Sequence, residues 1–302
     1  MKKVVIATTS FAKFNTGPLD LLEKNGIEAV LNPYGRKLNK DEVLGLCKGA
    51  LGIISGTELL DSAILEELNG LKVISRCGAG LDNIDLKAAQ KLGIKVFNTP
   101  DAPTIAVAEL TLGLILCILR KIHFMDSAIR KGGWEKITGN LLQGKKVGIV
   151  GFGRIGRKVA GILKGFSCEL NYSDPYVEDG LLGLRRVPLE ELLAWADIIT
   201  VHVSGTEGIL GEKELRQMKK GSWLINVSRG TVVDEPALYQ LLKEGYLSGA
   251  GLDVFASEPY SGPLKELKNV ILTPHIGSYA KEARIEMEMQ AASNLVKGLT
   301  VK

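Results

Sequence analysis

The sequence predicts an α/β protein made of two doubly wound, parallel-sheet units. Three observations predict it: β-rich apolar runs alternate with helical segments along the chain, a glycine-rich turn directly follows one such run, and a turn-rich stretch near residue 100 divides the series. The first series places strands over residues 3–7, 28–31, 51–54, 72–75 and 95–97, with a helix over 17–24 and further helical segments between the later strands. The break carries Pro100 and Pro103, and Pro103 is suited to open the long helix that follows over 104–119. A second series places strands over 145–150, 169–173, 197–201, 222–227, 250–253 and 269–273.

Composition narrows the classes of function. The 302 residues suffice for one large or two ordinary domains, and 45% of them are hydrophobic. The formal net charge is +4 with both signs interspersed, so nothing points to nucleic acid or to an anionic membrane surface. Small-molecule chemistry is expected instead. Cys47, Cys77, Cys117 and Cys168 are widely spaced without a CxxC pair, which predicts no metal site, no disulfide framework and reduced thiols in a cytoplasmic protein. The run after Met1-Lys2-Lys3 is too short for a secretory signal, and the apolar stretch 105–119 contains Glu109 and is too short for a membrane span. That stretch reads as a buried or dimer-forming helix.

The local motif with the most information is Gly151, Gly153 and Gly156, in GxGxxG spacing after an apolar strand and before a helical pattern. Gly151 permits a tight turn, Gly153 lets the backbone approach a pyrophosphate, and Gly156 lets helix pack on strand. Asp174 ends the next β-like run, eighteen positions after Gly156, where a carboxylate accepts hydrogen bonds from an adenosine ribose and repels a 2′-phosphate. The combination predicts a dinucleotide site that prefers NAD to NADP.

Three segments carry polar residues just beyond apolar runs, where such a domain presents its ligand edge: 226–230, 253–259 and 273–277. Reduction of a ketone beside a carboxylate requires a proton donor and a fixed cation. His275 supplies an imidazole, a side chain type able both to donate and to accept a proton, as acid/base, Glu258 is suited to hold its ring, and Arg229 is suited to grip a carboxylate through two parallel hydrogen bonds.

The same segments resemble the D-isomer-specific 2-hydroxyacid dehydrogenase family over nearly the whole chain, most closely its phosphoglycerate dehydrogenase branch. The resemblance is carried by CGAGLDNID at 77–85, the glycine turn with Asp174, VHV at 201–203, LINVSRGTVVDE at 224–235, GAGLDVF at 249–255 with EP at 258–259, and TPHIG at 273–277. It implies hydride transfer between NAD(H) and a D-2-hydroxy acid/2-keto acid pair, with Arg229, Glu258 and His275 as the catalytic set. It implies a cofactor shell of Ala79, Arg154, Ile155, Asp174, Val203, Val227, Asp253, His275 and Gly277 beside the glycines, and a lining role for His202. It also implies that Arg76, Cys77, Gly78, Ala79 and Gly80 hold the substrate carboxylate through backbone amides.

In topology, the resemblance implies a Rossmann NAD domain, residues 100–275, inserted into a flavodoxin-like substrate domain of residues 1–99 and 276–302. It further implies a homodimer through the 104–119 region. Two departures stand out: no arginine lies near residues 52–57, where such phosphoglycerate dehydrogenases place one against the phosphate, and residues 204–208 form a shortened loop. Glyoxylate, hydroxypyruvate and other small keto acids therefore stand beside phosphoglycerate as substrates. A short form without a regulatory domain is expected. A reading from another class is a non-catalytic, NAD-sensing, corepressor-like protein.

Overall fold

The computed structural model describes residues 2–300 and forms two compact units. One comprises the chain up to Pro103 and from Ser278 onward, and the other is Thr104–Gly277.

The first unit begins β1 (Lys2–Ile6), α1 (Gly17–Lys24), β2 (Ile27–Leu31), α2 (Lys40–Cys47), β3 (Gly52–Ser55), α3 (Ser62–Glu67), β4 (Val73–Arg76), α4 (Leu86–Lys91) and β5 (Lys95–Phe97). The strands are all parallel in the order β2-β1-β3-β4-β5. Such an order is doubly wound, with a switch point between β1 and β3. Its strands are apolar on both faces because both are covered: Val5, Ile53 and Ile74 enter one core, while Val4, Ile6, Ile54 and Val73 enter the other. Asp61 and Asp85 cap α3 and α4 by accepting from the backbone N–H three residues on.

The second unit runs α5 (Thr104–Leu119), α6 (Ile122–Arg130), β6 (Lys146–Val150), α7 (Arg154–Lys164), β7 (Glu169–Ser173), β8 (Arg185–Arg186), α8 (Leu189–Trp195), β9 (Ile198–Val201), α9 (Glu212–Gln217), β10 (Trp223–Asn226), α10 (Glu235–Lys243), β11 (Gly249–Leu252) and β12 (Val270–Leu272). Its parallel sheet has the order β12-β11-β10-β9-β6-β7-β8, with the switch point between β6 and β9. The short strand β8 and the exact edges of the others depend on hydrogen bonding that hydropathy does not report.

The chain then returns to the first unit as α11 (Lys281–Thr300). Its Met287, Ala291, Ala292 and Leu295 complete one core. Close approach needs small residues: a Cβ on Gly298 would lie 2.7 Å from Val73 Cγ2, and one on Gly52 would lie 2.8 Å from Leu295 Cδ1.

The division falls at 103/104 and 277/278, a few residues beyond the expected 99/100 and 275/276. Thr99 N–H donates to Gly78 O and Ala102 is buried in the first unit, which keeps 98–103 there. Ile276 and Gly277 donate to Asp253 in the second unit. No helix among the described residues is long and apolar enough to cross a membrane, and the four cysteines are free thiols.

Leu295→Ala, a fully buried truncation, is expected to destabilise the protein by about 2–5 kcal/mol. Urea denaturation checks it; a loss below about 1 kcal/mol would show that α11 is not integral to its core.

Candidate functional site

The glycine turn occupies the carboxyl end of β6, at the switch point of the seven-stranded sheet. Gly151 has φ +88°, and a Cβ there would sit 2.7 Å from the His202 carbonyl oxygen, so only glycine fits between the two strand ends. A Cβ on Gly156 would meet Gly151 O at 2.2 Å, whereas one on Gly153 would meet nothing within 4 Å. The turn is thus tight against the protein and open where a phosphate approaches. No side chain caps α7, and its first turn holds no acidic residue, so the N–H groups of Arg154 and Ile155 remain at a helix N-terminus suited to an anion. These features fit the pyrophosphate of a dinucleotide.

Asp174 does more than the sequence suggests. Its Oδ2 accepts from Phe152 N–H at 2.7 Å and its Oδ1 from Tyr176 N–H at 2.8 Å, so it ties the end of β7 to the glycine turn. Each carboxylate oxygen keeps a lone pair for a ribose hydroxyl. Val203 is half-buried and Val227 buried at neighbouring strand ends.

His202 is buried, and its Nε2 lies 2.8 Å from Thr200 Oγ1. Desolvation pushes its pKa down to about 3, so the ring is neutral and forms a wall beside the glycine turn.

The three polar segments follow β10, β11 and β12. Asn226 organises the first: its Oδ1 accepts from Ser228 N–H and Oγ–H, and its Nδ2 donates to Arg229 O at 2.9 Å. Arg229 is half-buried and donates through Nη1 to Ser228 O. Gly230 presses the loop against the next one, since a Cβ there would overlap Phe255 C at 1.8 Å. In the third segment His275 adopts φ +53°, unusual for a side-chain-bearing residue. Its N–H donates to Asp253 O, and its Nδ1 lies 2.9 Å from Glu258 Oε2, while Glu258 Oε1 accepts from Phe255 N–H. A carboxylate on Nδ1 fixes that nitrogen as the protonated one and leaves Nε2 to face a reactant.

Asp253 lies beneath this turn. Its carboxylate accepts from Thr273 Oγ1 at 2.6 Å, Ile276 N–H at 2.8 Å and Gly277 N–H at 2.8 Å. Burial raises its pKa, opposed by those donors. The expectation of a direct cofactor contact is thereby qualified: the side chain is 1% exposed and holds the turn that carries His275. Asn226 and Thr273 belong to the site although sequence gave them no role; their signal is a polar residue at or directly after a buried strand's last position.

The loop after β4 lies in the first unit, and its residues differ in what they offer. Cys77 N–H donates to Ser55 O and Gly78 N–H to Arg76 O, so both amides are engaged. The amides of Ala79 and Gly80 have no protein acceptor among the described residues. Asn98 Nδ2 clamps Ala79 O at 2.7 Å. Gly78 has φ +150°, and a Cβ there would fall 1.1 Å from Arg76 Nη1, so the guanidinium lies across it. The Cys77 thiol is buried and pushed up to about 11. After β3, Glu58 is buried and accepts from Gly56 N–H at 2.6 Å.

A parallel sheet with a glycine turn at its switch point and an imidazole–carboxylate pair at neighbouring strand ends defines a nicotinamide-dependent oxidoreductase domain. Residues 112–277 match the model of the D-isomer specific 2-hydroxyacid dehydrogenase NAD binding domain. The chain is 44% identical over 257 residues to a glyoxylate reductase of Thermococcus litoralis, covering 80% of this chain and 77% of that one. It is 36% identical over 298 residues to a D-3-phosphoglycerate dehydrogenase of Archaeoglobus fulgidus, covering 94% of this chain but 56% of that one. The solved NAD+-bound 3-phosphoglycerate dehydrogenase of Entamoeba histolytica superposes with a TM-score of 0.85 at 29% identity, over 99% of this chain and 95% of that one. The chain belongs to the D-isomer specific 2-hydroxyacid dehydrogenase family, and its cofactor is NAD.

The His202 pKa has a measurable consequence. It is depressed in the folded state from an unfolded value near 6.5, so stability is complete above 6.5 and falls as pH drops from there toward 3, where only the unfolded chain binds the proton. Between pH 6.5 and pH 4 the wild type is expected to lose on the order of 3 kcal/mol more stability than His202→Gln. Urea midpoints across that range check it; parallel losses in both proteins would exclude a buried neutral imidazole.

Proposed function

We propose that this enzyme reduces short 2-keto acids to D-2-hydroxy acids, and catalyses the reverse reaction, with Arg229, Glu258 and His275 as its catalytic residues. The observation that carries the reading is the 2.9 Å contact between His275 Nδ1 and Glu258 Oε2 at the ends of adjoining strands.

When bound, NADH supplies the hydride. The glycine turn with Arg154 and Ile155 would hold its pyrophosphate, Asp174 would hold its ribose, and Val203 and Val227 would line its path. His275 donates a proton from Nε2 to the keto oxygen, and Glu258 holds the ring through Nδ1 in the orientation that presents Nε2. Arg229 clamps the substrate carboxylate and polarises the carbonyl. The N–H groups of Ala79 and Gly80 in the first unit are suited to a carboxylate, and the first unit is accordingly read as the substrate domain.

Both phosphorylated and unphosphorylated three-carbon acids fit this chemistry. The absence of an arginine from residues 52–57 favours an uncharged substituent, and with it glyoxylate or hydroxypyruvate over the phosphorylated acid.

We further propose a cytoplasmic homodimer formed through α5 and the chain after it. Ile105, Ile122, Ile129, Trp134 and Leu141 are all exposed in that segment, an apolar surface that a second copy would cover.

NADH oxidation with glyoxylate, hydroxypyruvate and phosphohydroxypyruvate tests the activity. His275→Ala is expected to reduce kcat by about 10²–10⁴ with NADH affinity retained. Asp174→Ala is expected to weaken NADH binding and narrow the preference over NADPH. Absence of turnover by the wild type despite NADH binding would favour a non-catalytic NAD sensor. Sedimentation analysis tests assembly: Ile105→Glu is expected to shift a dimer toward monomer, and an unchanged mass would exclude this surface.

A further inference from the structure

Beneath the loop after β4 lies a buried ion pair that none of the steps above uses. Arg284 and Glu288, one turn apart on α11, have side chains 7% and 1% exposed, with Arg284 Nη2 donating to Glu288 Oε1 at 2.8 Å. Glu288 Oε2 accepts from Ala12 N–H at 2.9 Å, in the loop after β1, where Ala12 takes φ +59°. At the other end the Arg284 guanidinium lies against the Cys77 thiol and 5.4 Å from the Tyr279 ring centroid. Its Nε has no acceptor among the described residues.

Stability does not account for this arrangement. Withdrawing two charges from water offsets most of their attraction, so a buried pair commonly contributes little beyond an apolar replacement. What the pair does is geometric and electrostatic. It fastens α11 to two loops at the carboxyl edge of the five-stranded sheet, the edge at which doubly wound sheets bind ligands. It also orients a dipole, with the cation under Cys77 and the counter-charge displaced toward Ala12. A buried cation is weakly screened, and of the two charges Arg284 acts more strongly on the Cys77 thiol than Glu288 does.

We propose that Arg284 and Glu288 are a positioning pair for anion recognition, fixing the loops after β1 and β4 and setting positive potential beneath the Cys77–Gly80 backbone so that it binds a 2-keto carboxylate. This rests on the reading of that loop as part of the substrate site. Neither residue touches the reacting atoms. Their effect is on substrate KM, with hydride transfer itself little changed.

The test uses the double variant Arg284→Met with Glu288→Gln, which removes both charges together and keeps an acceptor for Ala12 N–H. Steady-state kinetics with glyoxylate and hydroxypyruvate, NADH affinity by fluorescence and thermal unfolding are measured beside the wild type. The expected result is a KM for keto acid raised about tenfold or more, with kcat within about threefold and NADH affinity within about twofold. Arg284→Lys, which retains the charge, is expected to recover most of the lost KM and serves alone if the double variant does not fold. An unchanged KM in the double variant, or a tenfold rise in Arg284→Lys, overturns the proposal while leaving the reaction intact. A joint loss of kcat, NADH affinity and substrate KM shows a purely structural pair and also overturns it. Wild-type protein that turns over no 2-keto acid overturns the functional reading itself, and this proposal with it.

Discussion

The geometry of the candidate site depends on one carboxylate. Asp253 directly follows β11, and its two oxygens gather Thr273 Oγ1, Ile276 N–H and Gly277 N–H from the chain leaving β12. Burial raises the pKa of this group, and three converging donors oppose that effect by favouring its charged form. The turn so held places His275 in the left-handed region, a conformation of order 1 kcal/mol or more less favourable than its alternatives for such a residue. The Asp253 side chain adds to the bonds of His275 N–H with Asp253 O and Thr273 O in keeping the imidazole at Glu258.

The same logic recurs along the ends of both sheets. Parallel strands finish with polar groups that no further ladder bond satisfies, and the chain meets them with side chains that fold back on the backbone. Asn226 braces the Arg229 loop, Asp174 braces the glycine turn and Glu58 braces Gly56. Charged side chains therefore act here first as scaffolding. What this scaffold leaves without a protein acceptor among the described residues are the amides of Ala79 and Gly80.

Much of the architecture is legible in the sequence because parallel strands covered on both faces are continuous apolar runs, and Gly151 and Gly156 of the turn answer steric demands. Residues 95–97, 169–173 and both long-helix ends at 104 and 119 coincide with the structure for that reason. The terminal helix is less legible: Arg284 and Glu288 fall among its core-facing positions and interrupt the apolar stripe that would announce it. The pairing of His275 with Glu258 follows from their chemistry, but the roles of Asp253 and Asp174 do not. A carboxylate that accepts backbone N–H groups and one that accepts from a ligand look alike in sequence. Only the fold shows which donors reach them.

The return of α11 to the first sheet has a consequence for the order in which the molecule can be built. The ribosome releases five strands of that sheet early, yet one face of them lacks Met287, Ala291, Ala292 and Leu295 until the final helix emerges. At about 5–20 residues per second, the intervening unit takes roughly 10–40 s to synthesise. For that interval Val4, Ile6, Ile54 and Val73 belong to an unfinished hydrophobic surface, while the inserted unit has everything it needs to fold. The nascent chain therefore completes its interior domain before its exterior one, and its first hundred residues are the segment most exposed to chaperones.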